Sequence, residues 1–323
     1  MENNPSSRYL CGVIEGFYGR PWSWAERHQL IGHMHKTGLN TYVLAPKFDL
    51  NHRWLWKESY SLESLGKLSD LCQLGRRHKV SVVLSLSPGL SYTSSDFPIL
   101  LNRFKELAAT GCTGLALLLD DIPYSVVDAR EQCRLAEKLR DGVEGDFDWF
   151  FCPTAYSRWH LKTWEQAQDY LKVIGRELHT NWQVFWTGET VISKTIEPAH
   201  LSDITQVIRR KPLIWDNFSA DDYVPAQSMF PGPITGRHPQ LPGYTSGLLL
   251  NPSEIFPASL CATDTLATWL KDPENYNEEK AFELSLSCLT DDPGAQEVVR
   301  ELLGYFYTPY SISNTWQQRL EQT

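Results

Sequence analysis

Eight short apolar runs, separated by longer polar segments, restrict the fold of this chain more than any other feature. The intervening segments repeat apolar residues at helical spacing, for example in residues 23–38, 97–111, 126–142 and 200–211. Strands that alternate with helices pair in parallel, and strands that are apolar throughout are buried on both faces of their sheet. The sequence therefore predicts an α/β fold, a (β/α)8 barrel. The predicted strands are, in chain order, CGVIEGF, TYVLAP, VSVVLSLSP, GLALLLDD, DWFFCPT, WQVFWTG, PLIWDN and TSGLLLN.

The chain is predicted to divide near residue 272. Residues 8–272 are expected to form the barrel, with a helix around residues 258–271 completing it, and residues 273–323 a helical extension of two helices. Residues 218–244 hold five of the nineteen prolines, and a long loop of this kind usually serves a functional site. Gly38 and Gly111 are expected to end helices.

Composition and charge exclude several classes of protein. A net charge of −9 argues against a basic surface that binds nucleic acid or an anionic membrane. The seven cysteines are an odd number without a CxxC pair, which favours reduced thiols over a disulfide framework. The sequence shows neither a signal peptide nor an apolar run of about 18 residues. We therefore expect a cytoplasmic protein without a nucleic-acid or membrane partner.

Two adjacent carboxylates, Asp120 and Asp121, stand at the end of the apolar run LALLL. In a barrel of this type, catalytic groups collect at the carboxyl ends of the strands. The other predicted strand ends carry a lysine, amides and aromatic side chains, and this mixture resembles a sugar-binding site, in which polar groups bind hydroxyls and rings stack on apolar sugar faces. The strand ends therefore favour a site that acts on a sugar.

Neighbouring carboxylates reach a sugar from one side, whereas a conventional nucleophile and acid approach the scissile bond from opposite sides. The pair suits a substrate whose own 2-acetamido oxygen attacks the anomeric carbon. Asp120 would then stay ionised and stabilise the oxazolinium, and Asp121, its pKa raised by the neighbouring charge, would donate the proton. The alternative is a structural pair, with one aspartate capping a turn and the other solvated. The two residues by themselves leave both interpretations open.

Seven motifs in order resemble glycoside hydrolase family 84, the O-GlcNAcase family, from residue 11 to about residue 270. The resemblance implies a (β/α)8 catalytic domain that removes β-linked N-acetylglucosamine by substrate-assisted, retaining hydrolysis, without a metal or an organic cofactor. The partner it implies is a glycoprotein or glycan that carries N-acetylglucosamine. The motifs are CGVIEGFYGRPWSWAER, NTYVLAPK followed by HR, LLLDDI, FCPTAY, WTG, PLIWDNFSADDY and LLLNP.

The resemblance also implies roles for individual residues. Asp120 matches the aspartate that stabilises the oxazoline, and Asp121 matches the general acid/base. Seven further positions match residues that bind the sugar. They are the backbone of Gly16 and the side chain of Lys47 at the hydroxyls, Tyr156 beside the acetamido group, Trp215 as a wall of its pocket, Asn217 near the acetamide, and Asp222 and Asn251 at the outer hydroxyls.

The chain departs from the family pattern on the side where the aglycone would lie. Phe48 and Leu50 replace polar residues, Pro123 stands where an acidic residue often follows the aspartate pair, and residues 157–161, SRWHL, also differ. Two alternatives to a protein-directed enzyme therefore stay open. They are a hyaluronidase-like enzyme that cleaves polysaccharide internally and a non-catalytic glycan-binding barrel.

Family members that act on proteins carry a helical stalk, and residues 273–323 are expected to form a shortened version. The segment YFYTPYS, residues 305–311, resembles part of that stalk. The sequence is compatible with a monomer and with a homodimer.

His33 and His35 resemble metal ligands, but side chains at positions i and i+2 of a helix point in different directions, so surface histidines are expected there.

Overall fold

Eight parallel strands close into a barrel in the computed structural model, and each strand pairs with its neighbours in sequence order. The structure describes residues 8–222, 230, 232–305 and 308–310. The (β/α)8 prediction is confirmed. The strands are β1 (Leu10–Glu15), β2 (Thr41–Leu44), β3 (Ser81–Leu86), β4 (Gly114–Leu118), β5 (Asp148–Cys152), β6 (Trp182–Trp186), β7 (Leu213–Asp216) and β8 (Gly247–Leu250).

Eleven α-helices lie in the described part of the chain, and most of them connect one strand to the next. They are α1 (Trp24–Thr37), α2 (Leu62–His78), α3 (Phe97–Ala109), α4 (Ala129–Gly142), α5 (Arg158–Thr163), α6 (Ala167–Glu177), α7 (Pro198–Ile208), α8 (Leu241–Tyr244), α9 (Phe256–Lys271), α10 (Glu278–Ser285) and α11 (Pro293–Tyr305). None of the described helices is both long enough and apolar enough to cross a membrane.

The strands are almost continuously apolar because each one faces two apolar layers. Along β1, Val13 belongs to the layer between strands and helices, and Ile14 to the cluster inside the barrel. Both side chains are fully buried. Since successive side chains of a strand point to opposite faces, burial on both faces removes the polar alternation of a half-exposed sheet.

Local sequence signals set the helix ends that position the strands. Ser23 and Glu26 form a capping box at the start of α1, an arrangement that contributes about 1 kcal/mol. Gly38 ends α1 with φ of 84°, and Gly111 follows α3 with φ of 85°. A left-handed backbone favours glycine, so the predicted helix stops at both glycines are confirmed.

The regular alternation weakens between β7 and β8. The predicted loop at residues 218–244 contains only the four-residue α8 and a single bridge between Ile196 and Arg237, and residues 223–229 and 231 of it lie outside the described residues. Helix α9 ends at Lys271, beside the predicted division, and α10 packs against α9. The two-domain division itself stays a prediction. Of the stalk-like segment, residues 306, 307 and 311 lie outside the described residues.

Candidate active site

The carboxyl ends of the strands open into a cavity of about 260 Å³. The structure brings all nine sequence-predicted site residues into the lining of this cavity. They are Gly16, Lys47, Asp120, Asp121, Tyr156, Trp215, Asn217, Asp222 and Asn251. Two other carboxylates at strand ends, Glu15 and Asp216, are buried outside it, because Arg27 and Arg237 respectively form ion pairs with them.

Asp120 is the buried member of the aspartate pair, with 5% of its surface exposed. Its Oδ2 accepts a hydrogen bond from Nζ of Lys47, which is itself 2% exposed, so the two opposite charges balance each other. Among the residues that the structure describes, none donates a hydrogen bond to Asp120 Oδ1. A buried acceptor without a partner costs about 1–3 kcal/mol, so this oxygen favours a ligand that supplies a donor.

Asp121 is exposed at the mouth of the cavity, although it follows Asp120 directly. Its backbone is left-handed, with φ of 55°, a conformation that aspartate tolerates better than most residues. Two tyrosine hydroxyls hold its carboxylate. Tyr18 donates to Oδ2 at 2.6 Å, and Tyr156 donates to Oδ1 at 2.7 Å.

The electrostatic environment of Asp121 differs from the one expected. Partial desolvation by the surrounding side chains raises the pKa of its carboxyl, but Lys47, the hydrogen bonds from Tyr18 and Tyr156, and Arg53 together hold that pKa below its ordinary value. The prediction of a raised pKa at Asp121 is therefore wrong. The reason is that Lys47 forms an ion pair with Asp120 and also acts on Asp121.

Sequence reasoning missed Tyr18 and Arg53. The Tyr18 hydroxyl accepts a hydrogen bond from Nη1 of Arg53 while it donates to Asp121, and its backbone N–H donates to Oδ2 of Asp222 at 2.7 Å. Tyr18 thus connects β1, the segment after β2 and the end of β4. Both residues lie inside family motifs, GFYGR and HR, but the motifs alone do not indicate which side chains Tyr18 and Arg53 contact.

Two amide side chains form a connected layer on the opposite side of the cavity. Oδ1 of Asn251 accepts from the backbone N–H of Gly16 at 3.0 Å, and its Nδ2 donates to Oδ1 of Asn217 at 2.8 Å. Nδ2 of Asn217 donates in turn to the carbonyl of Val191 at 2.8 Å. The chain of hydrogen bonds aligns both amides before any ligand binds.

Trp215 forms a wall of the cavity and is held on three sides. Nζ of Lys47 lies 5.3 Å from the centre of its ring, and Phe185 contacts it edge-on with a centroid separation of 5.3 Å. The third neighbour is Gly16, where an added Cβ would lie 2.3 Å from Cζ2 of Trp215. Only glycine therefore allows the backbone at position 16 to approach the ring this closely.

The histidines of the GHMHK segment lie away from the cavity. His35 packs against His78, with ring centroids 5.0 Å apart, whereas Nε2 of His33 lies 3.6 Å from Oδ1 of Asp264. The two histidines diverge as expected. His33, Asp264 and Cys288 bring their ligand atoms within 4.8 Å of one another, and none of them lines the cavity.

Comparisons with known proteins agree with one another. A profile of the beta-N-acetylglucosaminidase family matches residues 11–304. The proteins named Protein O-GlcNAcase from Rattus norvegicus and Mus musculus are each 35% identical over 280 residues, which is 83% of this chain and 30% of theirs. The chain thus spans less than a third of the length of these curated relatives.

A solved structure supports the same assignment at the level of the fold. A mutant O-GlcNAc hydrolase from Thermobaculum terrenum superimposes with a TM-score of 0.83 at 27% identity, and the match covers 93% of this chain and 66% of that one. Since the family profile covers the barrel and the relatives are similar over most of the chain, the resemblance is confirmed. This chain belongs to the beta-N-acetylglucosaminidase family, the O-GlcNAcase family of glycoside hydrolases.

Proposed function

We propose that the protein is a retaining β-N-acetylglucosaminidase that removes terminal β-linked N-acetylglucosamine, with O-GlcNAc on serine or threonine of proteins as its substrate. The observation that carries the proposal is the contrast between the two aspartates. Asp120 is buried and paired with Lys47, and its Oδ1 has no donor among the described residues, whereas Asp121 stands at the cavity mouth between two hydroxyls.

Oδ1 of Asp120 is suited to the substrate amide. In the proposed reaction, the acetamido N–H donates to Asp120, and the acetamido oxygen attacks the anomeric carbon as the bond to the leaving oxygen breaks. The amide nitrogen becomes positively charged in the oxazolinium, and the Asp120 carboxylate stabilises that charge. Water then opens the ring and restores the original anomeric configuration.

Asp121 is the proposed proton donor and acceptor. It gives its proton to the leaving oxygen in the first step and takes a proton from the attacking water in the second. Because these contacts hold its pKa low, bound substrate must raise that pKa by excluding water and by competing for the hydroxyls of Tyr18 and Tyr156.

The remaining residues of the cavity are proposed to orient the sugar. Trp215 and Tyr156 would enclose the acetamido group, and Asn217 would contact it. The Gly16 backbone, Lys47, Asp222 and Asn251 would hold the sugar hydroxyls. The residues involved are aligned by packing and hydrogen bonds, an arrangement that reduces the entropy lost on binding.

The size of the cavity favours exo-cleavage over the hyaluronidase-like alternative. A volume of about 260 Å³ lies just below the range of ordinary ligand pockets, which span roughly 300–1,000 Å³, and suits one sugar ring. The presence of both aspartates argues against the glycan-binding alternative. The seven cysteines are all free, which supports the proposed cytoplasmic location.

The experiment that tests the proposal compares aryl β-glycosides carrying a 2-acetamido or a 2-trifluoroacetamido group. The trifluoro oxygen is the weaker nucleophile, so the wild type should cleave that substrate much more slowly, and Asp120→Asn should lose most of its activity on both. Equal rates on the two substrates would contradict attack by the amide. Binding of N-acetylglucosamine without any cleavage would support a glycan-binding barrel instead.

A further inference from the structure

An open groove of about 250 Å³ borders the catalytic cavity on the side of β4 and β5. Asp121 and Tyr156 line both spaces, so the groove begins where the cavity ends. Beyond these two shared residues, we define the aromatic groove by Pro123, Tyr124, Trp159 and His160. Pro123 and residues 157–161 are departures from the family pattern, and the structure places both of them in this one groove.

Packing fixes the walls of the aromatic groove. Tyr124 stacks on Trp164 with ring centroids 4.7 Å apart and planes 6° from parallel. The ring of His160 lies 4.4 Å from that of Tyr156, and its Nδ1 lies 2.7 Å from Oγ of Ser157. Side chains held in this way lose little further conformational freedom when a ligand binds.

Trp159 is the exposed aromatic surface of the groove. It contacts His160 edge-on at 5.3 Å, yet 46% of its surface is open to solvent. A large aromatic ring that is anchored on one side and exposed on the other is typical of residues that dominate binding energy.

The charge of the groove restricts what it can hold. Among the described residues that line the groove, Asp121 is the one ionised group, and burial lowers the pKa of His160, which favours a neutral imidazole. A uronic-acid residue placed here would bring a carboxylate towards Asp121 without a cation in the lining to pair with it. An anionic polysaccharide is therefore disfavoured, and an uncharged apolar group is favoured.

A second apolar surface lies on the other side of Asp121. The ring of Phe48 is 54% exposed and contacts Tyr18 edge-on at 5.9 Å, while Tyr18 holds Oδ2 of Asp121. Leu50, close by in sequence, is 55% exposed. The general acid thus lies between two apolar surfaces, each formed by residues that depart from the family pattern.

We propose that the aromatic groove binds the aglycone, and that its occupant is an apolar, uncharged residue of a polypeptide next to the glycosylated serine or threonine. The inference rests on the proposed function, because the leaving oxygen must lie at Asp121, at the junction between the cavity and the groove. Trp159 is the specificity-determining residue, and Phe48 contacts the polypeptide on the other side.

The test measures kcat/KM for three substrates. Two are glycopeptides whose N-acetylglucosaminyl serine is flanked by proline and valine or by aspartate and glutamate, and the third is N-acetyl-β-glucosaminyl fluoride, which has no aglycone. The wild type should prefer the apolar glycopeptide. Trp159→Ala should lower kcat/KM for that glycopeptide about tenfold more than for the fluoride. Trp159→Phe keeps an aromatic ring and should retain most of the wild-type kcat/KM for the apolar glycopeptide.

The matched control is Tyr244→Ala. Tyr244 is also a partly exposed aromatic residue, 37% open, but it precedes β8 at the opposite end of the barrel, so this variant should keep the wild-type preference. An unchanged preference in Trp159→Ala would overturn the assignment of the groove. A wild type that prefers N,N′-diacetylchitobiose to both glycopeptides would overturn the polypeptide occupant. Failure of the wild type to cleave the fluoride would instead contradict the proposed function.

Discussion

Tyr18 donates a hydrogen bond of 2.6 Å to Asp121, although the two residues lie 103 positions apart in the chain. The bond stabilises the ionised carboxylate and contributes to its low pKa. Tyr18→Phe removes this donor, so the pKa of Asp121 should rise and the proton should be kept to higher pH. In a profile of kcat/KM against pH, we expect the basic limb to move to higher pH.

The control for this measurement is Tyr9→Phe. The Tyr9 hydroxyl lies 3.0 Å from Oγ1 of Thr245, at the opposite end of β1, and has no contact with the cavity. Its profile should coincide with that of the wild type. A basic limb that stays in place in Tyr18→Phe would show that the hydroxyl does not control the proton donor.

Lys47 and Asp120 form a buried ion pair, which gives a prediction about stability. Removing one partner leaves an uncompensated buried charge, so Lys47→Met should lower the free energy of unfolding by about 3–5 kcal/mol. The double variant Lys47→Met with Asp120→Asn should recover part of that loss, because no charge is then left unpaired. Urea unfolding measures both changes.

Lys67→Met provides the comparison for Lys47→Met. Lys67 pairs with Glu63 on the surface of α2, where water and salt screen the attraction and the ion pair contributes little to stability. The free energy of unfolding of Lys67→Met should therefore stay close to that of the wild type. Equal losses in the two lysine variants would contradict the special cost of the buried charge.

His52 predicts how stability depends on pH. Burial, followed by the charge of Lys47, lowers its pKa to about 3, so the folded protein keeps this imidazole neutral while the unfolded chain protonates it near pH 6.5. Below pH 6.5 the unfolded chain binds the additional proton, and stability falls as pH falls, by up to about 1.4 kcal/mol per pH unit. The loss should continue until pH approaches 3.

Chemical unfolding between pH 7 and pH 5 tests this dependence. Nδ1 of His52 lies 3.0 Å from the carbonyl of Ser85, and His52→Asn keeps a donor at that position without a titrating ring. This variant should lose less stability on acidification than the wild type. His28→Asn, at an exposed position, should follow the wild type, and parallel curves for all three proteins would rule out His52 as the cause.

Gly16 and Gly32 should respond in opposite directions to alanine. At Gly16 the new Cβ would lie 2.3 Å from Trp215, so Gly16→Ala should cost about 1–3 kcal/mol of stability and lower kcat/KM by displacing the cavity wall. Gly32 lies within α1, and apart from its chain neighbours and the backbone of its own helix no described atom lies within 4 Å of such a Cβ, so Gly32→Ala should gain about 1 kcal/mol. Thermal unfolding measures the two stability changes, and kcat/KM measures the effect of Gly16→Ala on activity. A stability change of the same sign in both variants would contradict the prediction.

Local signals in the sequence were sufficient to predict the barrel. The apolar run at residues 115–119 reads as a buried strand, and Ser23 and Gly38 bound a helix, because strand burial and helix capping depend on neighbouring residues. The predicted site residues converge because a parallel barrel gathers its strand ends at one face. Knowledge of the topology was enough to expect that convergence.

The missed features depend on contacts between distant segments. Tyr18 and Arg53 acquire their roles only when β1, β2 and β4 come together, and no local pattern predicts which hydroxyl donates a hydrogen bond to Asp121. The same applies to the sign of the pKa shift of Asp121. The sequence shows its neighbour Asp120, whereas Lys47 and Arg53 become its neighbours only through the fold.

The left-handed backbone at Asp121 limits what can replace that residue. Asparagine and glycine adopt φ near 55° at little cost, whereas β-branched and bulky residues do not. Asparagine is also one nucleotide substitution away from aspartate in the genetic code. A duplicated gene for this barrel would therefore have a short mutational route to a stable lectin, in which the sugar pocket persists and the proton donor is gone.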